Sequence, residues 1–470
     1  MIGMTIEQVA ACVDGTISTE PADSLVTSIA TDNRTISGGE LFVAIAGERV
    51  DGNRFAQAAL DAGAVAVLTA DPAAACATGA APERVIAVDD PIVALGRLAH
   101  EQAHIVRKCG AENFQVIGVT GSVGKTTTKD LLAHLLGQRG PIIAPPGSFN
   151  NELGMPLTVL RADESTSTLV LEMGADHIGN LAYLTGIVAP DVSVVLAVAR
   201  AHLGEFGGIE NVARAKSELV EGTREGGVVV LNYDDERVRD MAKLAPGKVV
   251  YFSASGACRD GVWASDVTLN KTGQASFILH YGQSESRVEL KLIGAHHVAN
   301  ALAAATVALV CGIELDDCAR LLTEANAGSP HRMDVWERNG TTIIDDSYNA
   351  NPDSMKAGLT ALAHLGTHRR KIAVLGTMLE LGEESEAEHA HIGELVAQLG
   401  IDTLVAVGPG LSPTILTACQ GGVEVHETLN VAEATQLLTG LLAEGDVVLL
   451  KGSNGSGVWR LADALKENDR

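Results

Sequence analysis

The sequence predicts a three-domain α/β protein: a small N-terminal α/β domain, a central domain on a mostly parallel sheet, and a C-terminal doubly wound domain. Three observations predict it. The chain has 470 residues, against a usual domain of roughly 150. From Val116 onward, short apolar runs alternate with helical stretches, the pattern of strands buried on both faces of a parallel sheet. Two breaks, one ahead of residue 91 and one at Gly328-Ser329-Pro330, cut the chain into blocks at 1–88, 89–328 and 329–470.

In the first block, Leu41–Ala46 reads as a strand, Arg54–Ala62 as a helix after the Asp51-Gly52 turn, and Ala64–Thr69 as a strand. Residues 91–109 form a linking helix, with Pro91 in its first turn and Gly110 ending it. In the second block, the strand Val116–Thr120 leads through a Gly-rich turn into a helix over Thr126–Leu136. Leu169–Met173, Val192–Ala199 and Val228–Leu231 are further buried-type runs. An Ala-rich helix opens after His296-His297. The third block alternates strand 342–346, helix 352–364, strand 371–376, helix 385–399, strand 403–407, helix 431–443 and strand 446–451. That alternation is doubly wound and Rossmann-like in character.

Composition narrows the function. A net charge of −25 argues against a general nucleic-acid binder. Aromatics at 3% disfavour base stacking and imply cores of Ala, Val, Leu and Ile. Seven cysteines without a CxxC pair point to a reducing compartment and buried thiols. The N-terminus carries no signal-peptide pattern. The most apolar stretches, 187–199 and 301–313, fall short of a membrane span. A cytoplasmic protein is the expectation.

The sharpest motif is Thr120-Gly121-Ser122-Val123-Gly124-Lys125-Thr126-Thr127, between a predicted strand and a predicted helix. Glycines let backbone N–H groups curl around phosphate oxygens, and the helix start adds partial positive charge. Lys125 can reach the β- and γ-phosphates, and Thr126 can offer its hydroxyl to Mg²⁺. Strict phosphate loops carry Gly where Val119 stands; the Gly-Lys-Thr core is intact.

Ligands in open α/β sheets gather at the carboxyl ends of strands. Glu172 ends one such strand and His202 follows another. A carboxylate there suits Mg²⁺, whereas His is a less usual Mg²⁺ ligand. Lys216, inside Ala213-Arg214-Ala215-Lys216-Ser217-Glu218-Leu219, reads as a solvated lysine on a helix surface. The polar segments His296–Asn300 and Asp345–Pro352 could be helix caps or ligand loops.

Together these pieces resemble the Mur ligases of peptidoglycan synthesis, over nearly the whole chain and in order. The resemblance runs through Thr31-Asp32-Asn33-Arg34, Gly38–Ala44, the phosphate loop, Asn150–Pro156, Glu172–Ala175, Ala201-His202-Leu203, Ala215–Glu218, Asp345–Pro352 and Leu375–Gly382. The segments Asn150–Pro156, Asp345–Pro352 and Leu375–Gly382 resemble the type that adds D-alanyl-D-alanine. It implies an ATP-dependent ligase that joins D-alanyl-D-alanine to UDP-N-acetylmuramoyl-tripeptide through an acyl phosphate, releasing ADP. The rival readings are another ligase of the superfamily and a P-loop ATPase that makes no amide.

The resemblance also implies roles. Gly121, Ser122, Val123, Gly124, Lys125, Thr126 and Thr127 would hold ATP, with Asn300 at adenine and Arg332 and Asp346 near phosphate and ribose. Thr126 and Glu172 would hold one Mg²⁺, and His202 with a carbamylated Lys216 a second. Lys125, Glu172, His202 and Lys216 would form the catalytic set. Asp32, Asn33 and Arg34 would bind the UDP end of the substrate, Asn150 and Asn151 would face the nucleotide sugar, and Asn349 the closed cleft. A monomer without nucleic-acid partners or a membrane span is implied. The chain departs from the family pattern at Asn33, at Asn53-Arg54, at Ala197 where Asn is common, at His331 where Gly precedes the arginine, and at Asn454.

Overall fold

A computed structural model describes residues 1–47, 50–111, 113–200, 206–326 and 328–467. The central sheet has nine strands, in the order Ser284–Ile293, Gln274–Tyr281, Val262–Leu269, Lys248–Ser253, Val228–Asn232, Val192–Val195, Gln115–Thr120, Thr168–Glu172 and Ile142–Ile143. Every pairing is parallel except the two that join Val262–Leu269, Gln274–Tyr281 and Ser284–Ile293 into an antiparallel meander. The mostly parallel expectation therefore holds. In the meander, burial alternates along Gln274–Tyr281. A search for continuous apolar runs passes over such a half-buried strand.

Gln115–Thr120 lies between Val192–Val195 and Thr168–Glu172. The chain passes from it to Ile142–Ile143 on one side, and then from Thr168–Glu172 over to Val192–Val195 on the other, which opens a crevice at its carboxyl end. Both faces of the sheet are packed. On one, the helix Lys125–Leu136 packs with the Ala-rich helix His297–Val310. Alanine at 301, 303, 304, 305 and 308 lets that helix approach closely where a chain poor in aromatics has few large side chains.

The other face shares its core with the first domain. Ile6, Leu41 and Leu68 pack in one cluster with Leu95, Leu98 and Val106 of the helix Pro91–Cys109, and with Val116 and Leu169 of the central sheet. Asp90 caps that helix by accepting the N–H groups of Ile92 and Val93 at 2.7 and 3.2 Å. The linking helix is thus a core element. The first domain's own sheet is parallel, ordered Ser28–Ala30, Glu40–Ala44, Ala66–Thr69, Val85–Ala87.

The C-terminal sheet runs Asp334–Arg338, Thr341–Asp345, Val447–Lys451, Lys371–Gly376, Thr403–Val407, Glu424–Thr428, parallel except at the first pairing. Separate apolar cores cover its two faces, as doubly wound folds require. The strands Asp334–Arg338 and Glu424–Thr428 and the helix Ser412–Gln420 were not expected. Both strands are sheet edges with little apolar surface, so they lack the signal of the central ones. Among the cysteines, Cys258, Cys311 and Cys318 are buried, Cys12 and Cys76 half-buried, and Cys109 and Cys419 exposed, all free. Burial of the thiols thus holds for three and is corrected for Cys109 and Cys419. Among the described residues, no helix is long and apolar enough to cross a membrane.

Candidate active site

The phosphate loop leaves the carboxyl end of Gln115–Thr120 and enters the helix Lys125–Leu136. Gly124 precedes that helix in the left-handed conformation, φ 83°. A Cβ there would run into the side-chain oxygen of Asn300. Glycine is thus required both by the backbone and by the approach of the Ala-rich helix. Gly124→Ala is expected to raise the KM for ATP about tenfold and to cost about 1–2 kcal/mol of stability; steady-state kinetics and a thermal melt check both. The loop is pinned to the segment that follows its neighbour strand by Ser122, whose N–H donates to Ala197 O at 2.9 Å and whose Oγ accepts Ala199 N–H at 3.0 Å. Lys125 Nζ donates to Gly121 O at 2.7 Å. Dense packing around its amine lowers the Lys125 pKa; Glu172 opposes that shift and Arg332 adds to it.

Thr126 Oγ1 donates to Glu172 Oε2 at 2.9 Å and lies 2.9 Å from Ser148 Oγ. Asn150 Nδ2 donates to the other Glu172 oxygen at 2.7 Å. Thr126 and Glu172 are both buried. Asn150 and Glu172 therefore share one hydrogen bond at the wall of the cleft. Asn151 lines the same cleft and also accepts the Gly154 N–H at 2.9 Å, at the start of a short helix.

Lys216 is buried, 2% exposed, on the helix Ile209–Glu221. The solvated-surface reading is overturned. Lys216 falls four residues after Val212 and three and four before Leu219 and Val220, all buried. That spacing was the signal for the inward face. Its amine reaches Ala175 O at 3.5 Å, directly behind the cleft wall. Desolvation, then the charge of Lys125, bring its pKa down to about 7. His202 lies outside the described residues.

The C-terminal domain closes the opposite side. Asp346 follows the strand Thr341–Asp345 and pairs with Lys451, which ends Val447–Lys451. Lys451 Nζ also donates to Asn349 O at 3.1 Å. Sequence reasoning missed Lys451, although it ends an apolar run just as Glu172 does. The Asp345–Pro352 segment holds a helix cap and also lines the cleft. Asn351 caps the helix Pro352–Leu365 through a reciprocal box with Ser354, while Asp346 and Asn349 line the cleft. Arg332 reaches across, donating from Nη2 to Ser148 Oγ at 3.0 Å and stacking 4.2 Å above the Tyr348 ring. Further contacts tie the two sides: Ser329 Oγ to Asp130 at 2.7 Å, and Arg200 to Glu388 at 2.6 Å.

The result is one cleft of about 570 Å³, lined by Ser122–Thr127, Asn150, Asn151, Glu172, Asn300, Arg332, Asp346 and Asn349. His297 also lines it, 3% exposed, with Nε2 unpartnered. Asp32, Asn33 and Arg34 do not line it. Asp32 caps a short turn and grips Arg34 at 2.6 Å, and that hydrogen bonding holds the Asp32 pKa down to about 2.

Three family patterns match the chain: residues 25–103 that of the Mur ligase family catalytic domain, 119–308 the Mur ligase middle domain, and 331–454 the Mur ligase glutamate ligase domain. A UDP-N-acetylmuramoyl-tripeptide–D-alanyl-D-alanine ligase of Mycobacterium bovis is 42% identical, aligned over 100% of this chain and 99% of its own length. The enzyme of that name in Escherichia coli is 33% identical over 100% of this chain and 99% of its own length. A crystal structure of MurF from Acinetobacter baumannii superposes with a TM-score of 0.86 at 31% identity, covering 99% of both chains. The MurF ligase of Thermotoga maritima in complex with ADP gives 0.77 at 28% identity, over 94% of this chain and 97% of that one.

Proposed function

The chain belongs to the Mur ligase family, and from that premise we propose that it joins D-alanyl-D-alanine to the terminal carboxylate of UDP-N-acetylmuramoyl-tripeptide at the expense of ATP. The products are UDP-N-acetylmuramoyl-pentapeptide, ADP and phosphate, and the reaction belongs to peptidoglycan synthesis. One observation carries the reading: the phosphate loop and Glu172 face Arg332, Asp346 and Lys451 across a single cleft, in a chain alike to these ligases from end to end.

A carboxylate is a poor electrophile. The γ-phosphoryl group of ATP therefore passes to it, giving an acyl phosphate and ADP. The amine of D-alanyl-D-alanine attacks the acyl carbon, and phosphate leaves from the tetrahedral intermediate. Phosphate and carboxylate repel each other, so the cleft has to supply positive charge. Lys125 and the N–H groups of Gly121–Thr127 hold the phosphates, Arg332 and Asp346 hold the phosphate–ribose region, and Asn300 meets the adenine. Asn150, Asn151 and Asn349 meet the acceptor, and Asp32, Asn33 and Arg34 the UDP end.

The residues fit a hard cation. Thr126 and Glu172 offer a hydroxyl and a carboxylate oxygen 2.9 Å apart in a buried setting. Among the described residues, no cluster of three or more His, Cys, Asp or Glu could hold a metal unaided. Mg²⁺ would complete its shell with water and substrate phosphate. When bound, Mg²⁺ neutralises charge on the phosphates and the acceptor carboxylate. A second ion would be held by His202 and Lys216. With a pKa of about 7, a large share of Lys216 amine is neutral at neutral pH. A neutral amine can add CO₂, forming an N–C bond and losing one proton, which turns a cation into an anionic oxygen ligand.

The division of labour follows the blocks 1–88, 89–328 and 329–470, for the UDP sugar, ATP and ligation. We extend the proposal to a monomer, and a soluble precursor made with ATP supports the cytoplasm.

Phosphate release from ATP and Mg²⁺ tests the reading. Release is expected to require both UDP-N-acetylmuramoyl-tripeptide and D-alanyl-D-alanine and to yield the pentapeptide. Equal release without either substrate would make the chain a different ATPase.

A further inference from the structure

We propose that His331 is a positioning residue: anchored between Asp345 and Asp463, it fixes the segment that aims Arg332 across the cleft, and so sets the affinity for ATP. The inference rests on the reading of Arg332 as a nucleotide contact.

The backbone supplies the first reason. His331 and Met333, on either side of Arg332, both have positive φ, 59° and 54°. The left-handed region is one that side chains with a Cβ adopt at a cost. A histidine there needs something to hold it, and two carboxylates do. His331 Nδ1 lies 2.8 Å from Asp345 Oδ2, and its Nε2 lies 3.6 Å from Asp463 Oδ1. Asp345 is fully buried and also accepts from Ser347 N–H at 3.3 Å. His331 O accepts the Tyr348 N–H at 3.1 Å, so the same residue fixes the ring on which Arg332 stacks.

Arg332 then bridges the domains. Its Nη2 donates to Ser148 Oγ, which touches Thr126 Oγ1 in turn. Its Nε is buried without a partner in the protein, and the residue lines the cleft. A chain of contacts thus runs from His331 through Arg332 and Ser148 to the phosphate-loop threonine.

The anchor also titrates. The groups facing the imidazole are Asp345 from the strand Thr341–Asp345, and Asp463 and Lys466 from the helix Val458–Glu467; Lys466 is itself paired to Asp334 at 2.6 Å. The hydrogen bond to Asp345 is the main cause that raises the His331 pKa above its usual 6.5, with burial and then Lys466 opposing. A raised pKa means that the protonated ring is favoured when anchored. The anchor is therefore complete at acid pH and weakens as pH rises through that raised value.

The experiment measures kcat and the KM for ATP against pH for the full chain and for His331→Gly, His331→Gln and Arg332→Ala. Glycine suits the backbone at 331, and comparison with the parent cancels the titration of ATP itself. Expected is a parent KM that rises with pH. His331→Gly is expected to raise the KM about tenfold on the acid side, with kcat within about twofold and a flattened pH profile. His331→Gln keeps one hydrogen bond but no charge, so it flattens the profile with a smaller rise. If Arg332→Ala raises the KM while both His331 variants keep the parent value and slope, the positioning role is overturned. If Arg332→Ala leaves the KM unchanged, the nucleotide reading of Arg332 falls, and the inference with it.

Discussion

Replacing Lys125 with alanine is expected to lower kcat by roughly 10²–10³, the loss of about 3–4 kcal/mol that follows removal of one preorganised contact to developing charge. The amine sits at the mouth of the phosphate loop, held by Gly121 O at 2.7 Å and partnered by no carboxylate within salt-bridge distance among the described residues. Packing around it lowers its pKa, so the protein bears a cost to keep that charge where phosphate arrives. Bound phosphate repays the cost, and most strongly when the γ-phosphoryl group is in flight. The loss therefore belongs in kcat more than in the KM for ATP.

The fold should tolerate the change. Alanine removes a poorly solvated ammonium, suits a helix start, and leaves Gly124 and Thr126 untouched. A thermal melt within about 2 °C of the parent is the expected companion result. Lys125→Arg should not restore the rate, because a planar guanidinium cannot occupy the place of a compact ammonium. A Lys125→Ala enzyme with parental kcat would remove Lys125 from the chemistry.

What the sequence disclosed, and what it did not, follows from where each signal resides. The buried parallel strands were legible because Val, Ile and Leu fill both faces, as at Leu169–Leu171 and Val192–Val195. The phosphate loop was legible because glycine geometry, a helix start and Lys-Thr are local to eight residues. Edge elements were not, since Glu424–Thr428 buries only one of its residues. Ser148 was missed for another reason: its role depends on two domains meeting, and nothing local in a segment reports which distant residue it will face. Lys451, at the end of an apolar run, did carry a local signal. Lys216 is the instructive error. Its charge outweighed its spacing in the reading, although Val212, Leu219 and Val220 marked the inward stripe.

That burial leads to the second large effect. Lys216→Met is expected to abolish ligation, by about 10³ or more in kcat, yet to stabilise the fold in bicarbonate-free buffer. The sign follows from the pKa. The amine titrates near 7 when folded, against 10.5 for an ordinary lysine. Below about 7 both folded and unfolded chains are protonated, and the native state carries the full cost of a buried ammonium. Between about 7 and 10.5 the unfolded chain binds the proton that the native chain has released, so parent stability climbs with pH. Methionine, of similar length and without charge, removes the cost at every pH. Its advantage in melting temperature should therefore be largest at acid pH and shrink as pH rises toward 10.5. The activity arm separates two roles for the residue. If Lys216 serves through a carbamate, parent activity rises with added bicarbonate, and Lys216→Met stays inactive at every bicarbonate concentration. If Lys216 only fills space, methionine fills it as well, and the variant retains both its rate and its response to ATP. An active, more stable Lys216→Met enzyme would strike this lysine from the catalytic set and leave Thr126 and Glu172 as the cation site.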